Sequence, residues 1–300
     1  MLSVDEQIDR GIVVCPRTHE RLIREKDDLV APSAGSRYPI LNSVPILCSD
    51  PARLQSYLDQ NAGKMHREYS EQAIDPKKPR RLNLTERFEG WVGKLESKMY
   101  RWKPALAAWE AVARFQERPE AVCISIGGGP ERNAEFLNLN IGPYPNVDIV
   151  GDAYELPYAD NSVDAVCCAA VLEHLEFPDK AVSEAARVLK PGGEAFFETP
   201  FLQPYHGYPN HFQNFTLSGQ ERLLLRHGLA IVSSGVSVGP SHVFYHIVTS
   251  WFFLFSKKRW LRLALSAALA KLMKPWDRTI NDSPDAHVLG STTYVHGRKL

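Results

Sequence analysis

The stretch from residue 121 to residue 199 constrains this chain most, because short apolar runs alternate there with helical patterns. The runs are Ala121–Ile126, Leu137–Ile141, Asp148–Val150, Ala165–Ala169 and Ala195–Glu198. Helical patterns fall at Arg132–Phe136 and Asp179–Val188, and again at Ser218–His227. That rhythm predicts an α/β fold, a mostly parallel sheet covered by helices. Further runs at Ala230–Ser237 and Thr292–Gly297 would complete the sheet, the last returning from the far end of the chain.

The strand tips carry the chemistry. Ile124-Ser125-Ile126 leads into Gly127-Gly128-Gly129-Pro130, a strand, glycine turn and helix start that lets backbone approach a ligand without Cβ interference. Pro130 suits the first helical position, where its missing N–H costs nothing. Asn140 ends the second run, and Gly151-Asp152-Ala153 follows the third. At the C-terminal ends of parallel strands such residues converge on one crevice, the usual ligand site of an open sheet. Asp152 can accept from an adenine amino group, Ala153 leaves room beside a ring, and Asn140 suits ribose hydroxyls. Each also has a structural reading: the glycines as a tight turn, Asp152 and Asn140 as turn caps.

Four ordered stretches, ISIGGGPERN, NLNIGPYPNVDIVGDAYELPYADNSVDAV, CCAAVLEHLEFPDKAVSEAARVLKPGGEAFFETP and FLQPYHGYPNHFQNFT, resemble the class I S-adenosylmethionine-dependent methyltransferase family, in its small-molecule branch. The resemblance covers about residues 121–239. It implies a Rossmann-like seven-stranded sheet with one antiparallel edge strand, and S-adenosyl-L-methionine bound across the strand tips. It aligns Gly127 and Gly129 with the glycines near the methionine moiety, Asp152 and Ala153 with the adenine side, and Glu173-His174 with a loop flanking the cofactor. Two positions depart from the pattern: Ser125 and Asn140 stand where acidic residues are common. Losing the ribose carboxylate exchanges a charge-assisted hydrogen bond for a neutral one, about 1 kcal/mol.

Methyl transfer from a sulfonium is an in-line displacement that needs water exclusion, alignment and sometimes a base, so no metal is expected. Candidate bases or positioners are His174, His206 and His211, histidine being the side chain best poised near neutral pH. They could equally do no more than hold the loop that closes the site. Phe201, Tyr205, Tyr208 and Phe212 give the acceptor side a neutral, aromatic character that suits a small organic or sugar-like molecule. A scaffold that has lost catalysis is the main alternative. A nicotinamide dehydrogenase is weaker, because its fingerprint expects a longer first helix and an acidic ribose ligand; Asp148 falls near the right distance but inside a strand pattern.

The rest of the chain divides into residues 1–50, 51–119 and, after a core at 120–242, 243–285 and 286–300. Residues 1–50 form a small β-rich module. Cys15-Pro16 and the Tyr38-Pro39-Ile40 and Val44-Pro45-Ile46 stretches resemble short zinc ribbons found beside some methyltransferases, but Thr18, Ala31 and Ala34 replace the other ligands. Without metal or disulfide, so small a unit needs docking to the larger domain or to a protein partner. Residues 51–119 read as a helical linker and cap, with an exposed linker at Asp75–Arg81. There Leu106, Trp109, Val112 and Phe115 share one helical face that could roof the cleft. Residues 243–285 contain two apolar stretches, Val243–Phe255 and Leu261–Met273, split by Lys257, Lys258 and Arg259; neither reaches the roughly 20 residues that span a bilayer. They read as core, as a lid, or as a peripheral membrane contact. Residues 286–300 would be an edge strand. The acidic N-terminus has no apolar signal region, and five cysteines, two of them adjacent in a strand pattern, read as buried thiols, so a cytoplasmic location is expected. Thirty-five basic residues balance thirty-five acidic ones, and the basic spots at Arg80–Arg81 and Lys257–Arg259 lack a patterned aromatic stacking surface, so no nucleic acid is expected.

Overall fold

The computed structural model describes residues 1–61, 102–129, 136–207, 210–256 and 258–300. The Asp75–Arg81 linker, most of the Arg132–Phe136 helix, Tyr208 and Lys257 lie outside the described residues. In chain order the elements are α1 (Val4–Asp9), β1 (Ile23–Glu25), β2 (Asp28–Ala31), β3 (Ser36–Leu41), β4 (Val44–Leu47), α2 (51–61) and α3 (Lys103–Ala113). Then come β5 (Cys123–Ile126), β6 (Leu137–Asn140), β7 (Ile149–Gly151), β8 (Val163–Ala169), α4 (Pro178–Val188) and β9 (Leu189–Pro200). The chain closes with α5 (Leu217–Arg226), β10 (Leu229–Val238), α6 (Pro240–Phe255), α7 (Arg259–Met273) and β11 (Thr292–Lys299).

The strands form one sheet in the order β1-β2-β3-β4-β7-β6-β5-β8-β9-β11-β10. β5 to β9 run parallel, and β11 is antiparallel to both of its neighbours, β9 and β10. The C-terminal strand expected at the edge is therefore an inner strand, and β10 is the edge. Its chemistry explains the place: Thr292 to Gly297 are all buried, as in a strand covered on both sides. Cross-strand charge fixes its register, for the buried Glu194 carboxylate accepts from His296 Nε2 at 2.8 Å and from Arg298 Nε at 2.9 Å.

Helix α4 buries Ala181, Val182, Ala185 and Val188, one face of an amphipathic helix, against the sheet. Its Arg187 donates to Glu184 and Asp160, both at 2.7 Å, and to the carbonyls of Tyr158 at 2.7 Å and Leu156 at 3.0 Å. One guanidinium thereby pins the loop that leads out of β7 toward β8. On α3 the buried residues are Ala105, Ala108 and Val112, followed by Phe115; Leu106 is exposed, contrary to the predicted face. Trp109 packs on Phe136 and Phe196, and this helix covers the half of the sheet from β8 to β10 and does not roof the strand tips.

The N-terminal module is a meander of β1 to β4 whose last strand joins the main sheet. Ile46 and Leu47 of β4 pair in parallel with Val150 and Gly151 of β7. Leu2, Ile8, Val13, Cys15, Leu29 and Leu47 belong to the same buried cluster as Ile124, Ile126, Leu139 and Ile149. Cys15 Sγ lies 3.2 Å from the Tyr38 hydroxyl, and all five cysteines are buried and unbridged. The module thus gains its stability from a shared core. Because of that shared core, Leu47→Ala should cost about 2–5 kcal/mol. Urea denaturation followed by circular dichroism and tryptophan fluorescence should show one coincident transition for module and core. Two separated transitions would mean that the module folds by itself.

Candidate functional site

A cavity of about 650 Å³ opens across the C-terminal ends of β5, β6, β7 and β8. Its floor is Ile126, Gly127, Gly129, Leu139, Asn140, Gly151, Asp152 and Ala153, and Ala170, Val171, His174 and Leu175 form the wall after β8. Gly127 and Gly129 have φ of +68° and +65°, and a Cβ on Gly127 would lie 2.5 Å from Val171 Cγ2. Only glycine permits this turn at this distance from β8's loop.

The roof is α2, which supplies Arg53, Ser56, Tyr57 and Gln60. Asp50 caps this helix, its Oδ1 accepting from the backbone N–H of Ala52 at 3.0 Å and of Arg53 at 3.2 Å. Leu54 and Tyr57 pack on Tyr144, Val147 and Val150 beside β4, and the Tyr57 and Tyr144 hydroxyls are hydrogen-bonded. The module and its linker helix, not the 103–113 helix, therefore cover the strand tips. Sequence reasoning passed over Arg53, whose place depends on contacts distant in the chain.

Asp152 is buried at the β7 tip. Its Oδ1 accepts from Tyr154 N–H at 3.0 Å, closing a turn, and its Oδ2 meets Arg53 Nε at 2.8 Å. Burial pushes its carboxyl above the ordinary carboxylate range, with Arg53 opposing. The Arg53 guanidinium also lies 3.8 Å above the Tyr154 ring, making a flat cationic platform beside Ala153. Asn140 lines the cavity as well, but its Oδ1 accepts from Gly142 N–H at 3.0 Å. What it turns to a ligand is consequently an NH₂ donor.

At the other end three histidines gather, although only His174 reaches the cavity; His206 and His211 stand beside it with ring centroids 5.4 and 5.9 Å from His174. Asn210 and Phe212 complete that wall. His211 Nδ1 accepts from His206 N–H at 3.2 Å, so its Nε2–H donates to Asn214 Oδ1 at 2.6 Å. His174 Nδ1 donates to the Asn210 carbonyl at 2.6 Å and His206 Nδ1 to the Pro204 carbonyl at 3.0 Å. The Nε2 atoms of both then face Glu173 Oε1, at 3.7 and 3.8 Å. Glu173, expected beside the cofactor, is 0% exposed and is not among the residues that line the cavity. Its carboxylate raises the pKa of His206, whereas burial lowers that of His174. The sequence shows Glu173-His174 and His206 as separate motifs; nothing local reveals that they meet.

Phe201 is half-buried and Tyr205 exposed, stacked on His211. Among the described residues, none from 240–276 lines the cavity, so the apolar segment is not its lid. Helices α6 and α7 pack on each other, and no helix among the described residues is long and apolar enough to cross a membrane.

The methyltransferase-domain family profile matches residues 129–197, which hold β6 to β8, α4 and most of β9. The demethylmenaquinone methyltransferase of Renibacterium salmoninarum is 46% identical over 65 residues, covering 20% of this chain and 27% of that protein. The ubiquinone/menaquinone biosynthesis C-methyltransferase UbiE of Brucella canis is 29% identical over 166 residues, covering 44% of this chain and 61% of that protein. The chain thus matches between about a quarter and three fifths of the length of these relatives. Among solved structures, the [4+2]-cyclase SpnF is similar with a TM-score of 0.44 and 16% identity, over 80% of this chain and 96% of that one. With the strand order and the profile match together, the fold is the α/β Rossmann-like sheet of the class I S-adenosylmethionine-dependent methyltransferases, extended at its N-terminus by a β-rich module.

Proposed function

We propose that the protein is an S-adenosyl-L-methionine-dependent methyltransferase acting on a small organic or sugar-like acceptor. The observation that carries this reading is the single cavity that joins the glycine turn and Asp152 at one end to His174 and Phe212 at the other. Its volume of about 650 Å³ falls within the roughly 300–1,000 Å³ of ligand pockets. In this reading the adenine lies on the Arg53–Tyr154 platform with its amino group donating to Asp152, beside Ala153. The ribose takes the Asn140 donor, and the methionine end passes the Gly127–Gly129 turn. The sulfonium supplies the methyl group, and the protein's share of catalysis is alignment and exclusion of water. His174 is the group set to meet the acceptor, to hold it or to take its proton. His206 and His211 act as positioning residues behind it. We read the N-terminal module as a ribbon in which docking on β7 has taken over from metal, and whose task is to deliver α2 as the roof.

The two methyltransferases named above carry quinones in their names, and a neutral, ring-bearing acceptor agrees with Phe212 and Tyr205. Titration calorimetry with S-adenosylmethionine tests the proposal. Saturable binding is expected, and Asp152→Ala should weaken it by about 1.5–3 kcal/mol, roughly ten- to 150-fold. No saturable binding, or an unchanged affinity in the variant, would sink the adenine assignment. Binding without turnover on any acceptor would favour a scaffold.

A second surface supports peripheral contact with an anionic membrane. Phe244, Ile247, Trp251, Leu254 and Phe255 recur on one face of α6, and the last three are 60%, 82% and 72% exposed. Lys258 stands at the same tip of the helical pair. This combination of aromatic residues and positive charge fits a lipid headgroup boundary. The wild type should co-sediment with vesicles containing phosphatidylserine, and the double variant Trp251→Ser, Phe255→Ser should remain in the supernatant. Equal behaviour of the two proteins would remove the membrane from the account.

A further inference from the structure

The geometry points to a divalent transition-metal site formed by Glu173, His174 and His206, beside the acceptor end of the cavity. Three observations carry it. First, Glu173, His174 and His206 each offer one ligand atom, and the three lie within 4.8 Å of one another. Second, each histidine gives its Nδ1–H to a backbone carbonyl, of Asn210 and of Pro204. In the neutral rings that leaves the Nε2 lone pair for a metal, and both Nε2 atoms stand beside the same carboxylate oxygen, at 3.7 and 3.8 Å. Such outer hydrogen bonds are the usual support of metal-bound imidazoles. Third, Glu173 is 0% exposed and neither of its carboxylate oxygens has a hydrogen-bond partner. A buried carboxylate without hydrogen bonds is costly, and a cation between it and two imidazoles lowers the cost.

Two imidazoles and one carboxylate form a ligand set suited to zinc(II), iron(II) or cobalt(II), and not to calcium or magnesium, which prefer oxygen alone. Metal–ligand bonds of about 2.0–2.2 Å require the three side chains to close slightly on the ion. Three protein ligands leave coordination positions open, as in catalytic metal sites. Of the three ligands His174 lines the cavity, so an acceptor oxygen would reach those positions past its ring. Methyl transfer from a sulfonium needs no metal, and the cation's part would be to orient the acceptor and make its hydroxyl more acidic, in place of proton removal by a free His174. Only this last role rests on the methyltransferase reading; the site itself does not.

The test is titration of chelator-treated full-length protein with cobalt(II), followed by its visible ligand-field absorption and by displacement with zinc(II). One equivalent should bind saturably with four- or five-coordinate bands. Glu173→Gln and His206→Ala should each weaken binding at least about tenfold, with circular dichroism unchanged. His206 is half-exposed, so its variant carries the test even if the buried glutamine disturbs folding. No saturable binding, or affinity unchanged in the folded variants, overturns the site. S-adenosylmethionine titrated into the same samples separates the two proposals, because failure of cobalt binding with intact cofactor binding removes the metal alone.

Discussion

Strand β5 lies at the centre of the parallel sheet, with β6 on one side and β8 on the other, and the chain crosses over in opposite directions to reach them. Two parallel neighbours reached by crossovers in opposite directions leave a crevice above the strand tips that no helix can fill. The rest of the site follows from that gap. The glycine turn at 127–129 must bend back under Val171, so a side chain at Gly127 would shut the crevice. On the sheet side the cavity is lined by residues at the strand ends or in the loops that follow them, Asn140, Asp152 and His174 among them.

The N-terminal module changes what this arrangement can do. A parallel sheet ending at β7 would present an open edge, and β4 covers it by pairing in register. The same pairing sets α2 in place, because its Leu54 and Tyr57 rest on Tyr144 and Val150. Arg53 then reaches Asp152, a buried carboxylate that would otherwise stand unpaired in the cleft. Structural extension and site chemistry are thereby one device.

Much of the core was legible because it is periodic. The strands at 123–126, 137–140 and 163–169 and the helix at 178–188 fall within a residue or two of their patterns, since continuous apolar runs and a single buried helical face are local properties. Long-range order was not legible. The place of β11 inside the sheet depends on Glu194 meeting His296 and Arg298, about a hundred residues away in the chain. Arg53 was invisible for the same reason, and Leu106 misled because an apolar residue on a helix need not be buried. In the site, motif reading found Asp152 and the three histidines as chemical types. It missed that Glu173 is buried beside two of them with its oxygens outside any hydrogen bond, which is a fact of packing and not of spacing.

The central claim is that one cofactor spans the strand tips from Arg53 to His174. Amide hydrogen exchange with and without S-adenosylhomocysteine tests it over the whole chain. The account predicts slowed exchange at 126–129, 139–142, 152–154 and 171–175, together with the roof helix at 51–61, and no change in 240–273. Protection confined to the 240–273 helices, or none at the strand tips under saturating ligand, would contradict it.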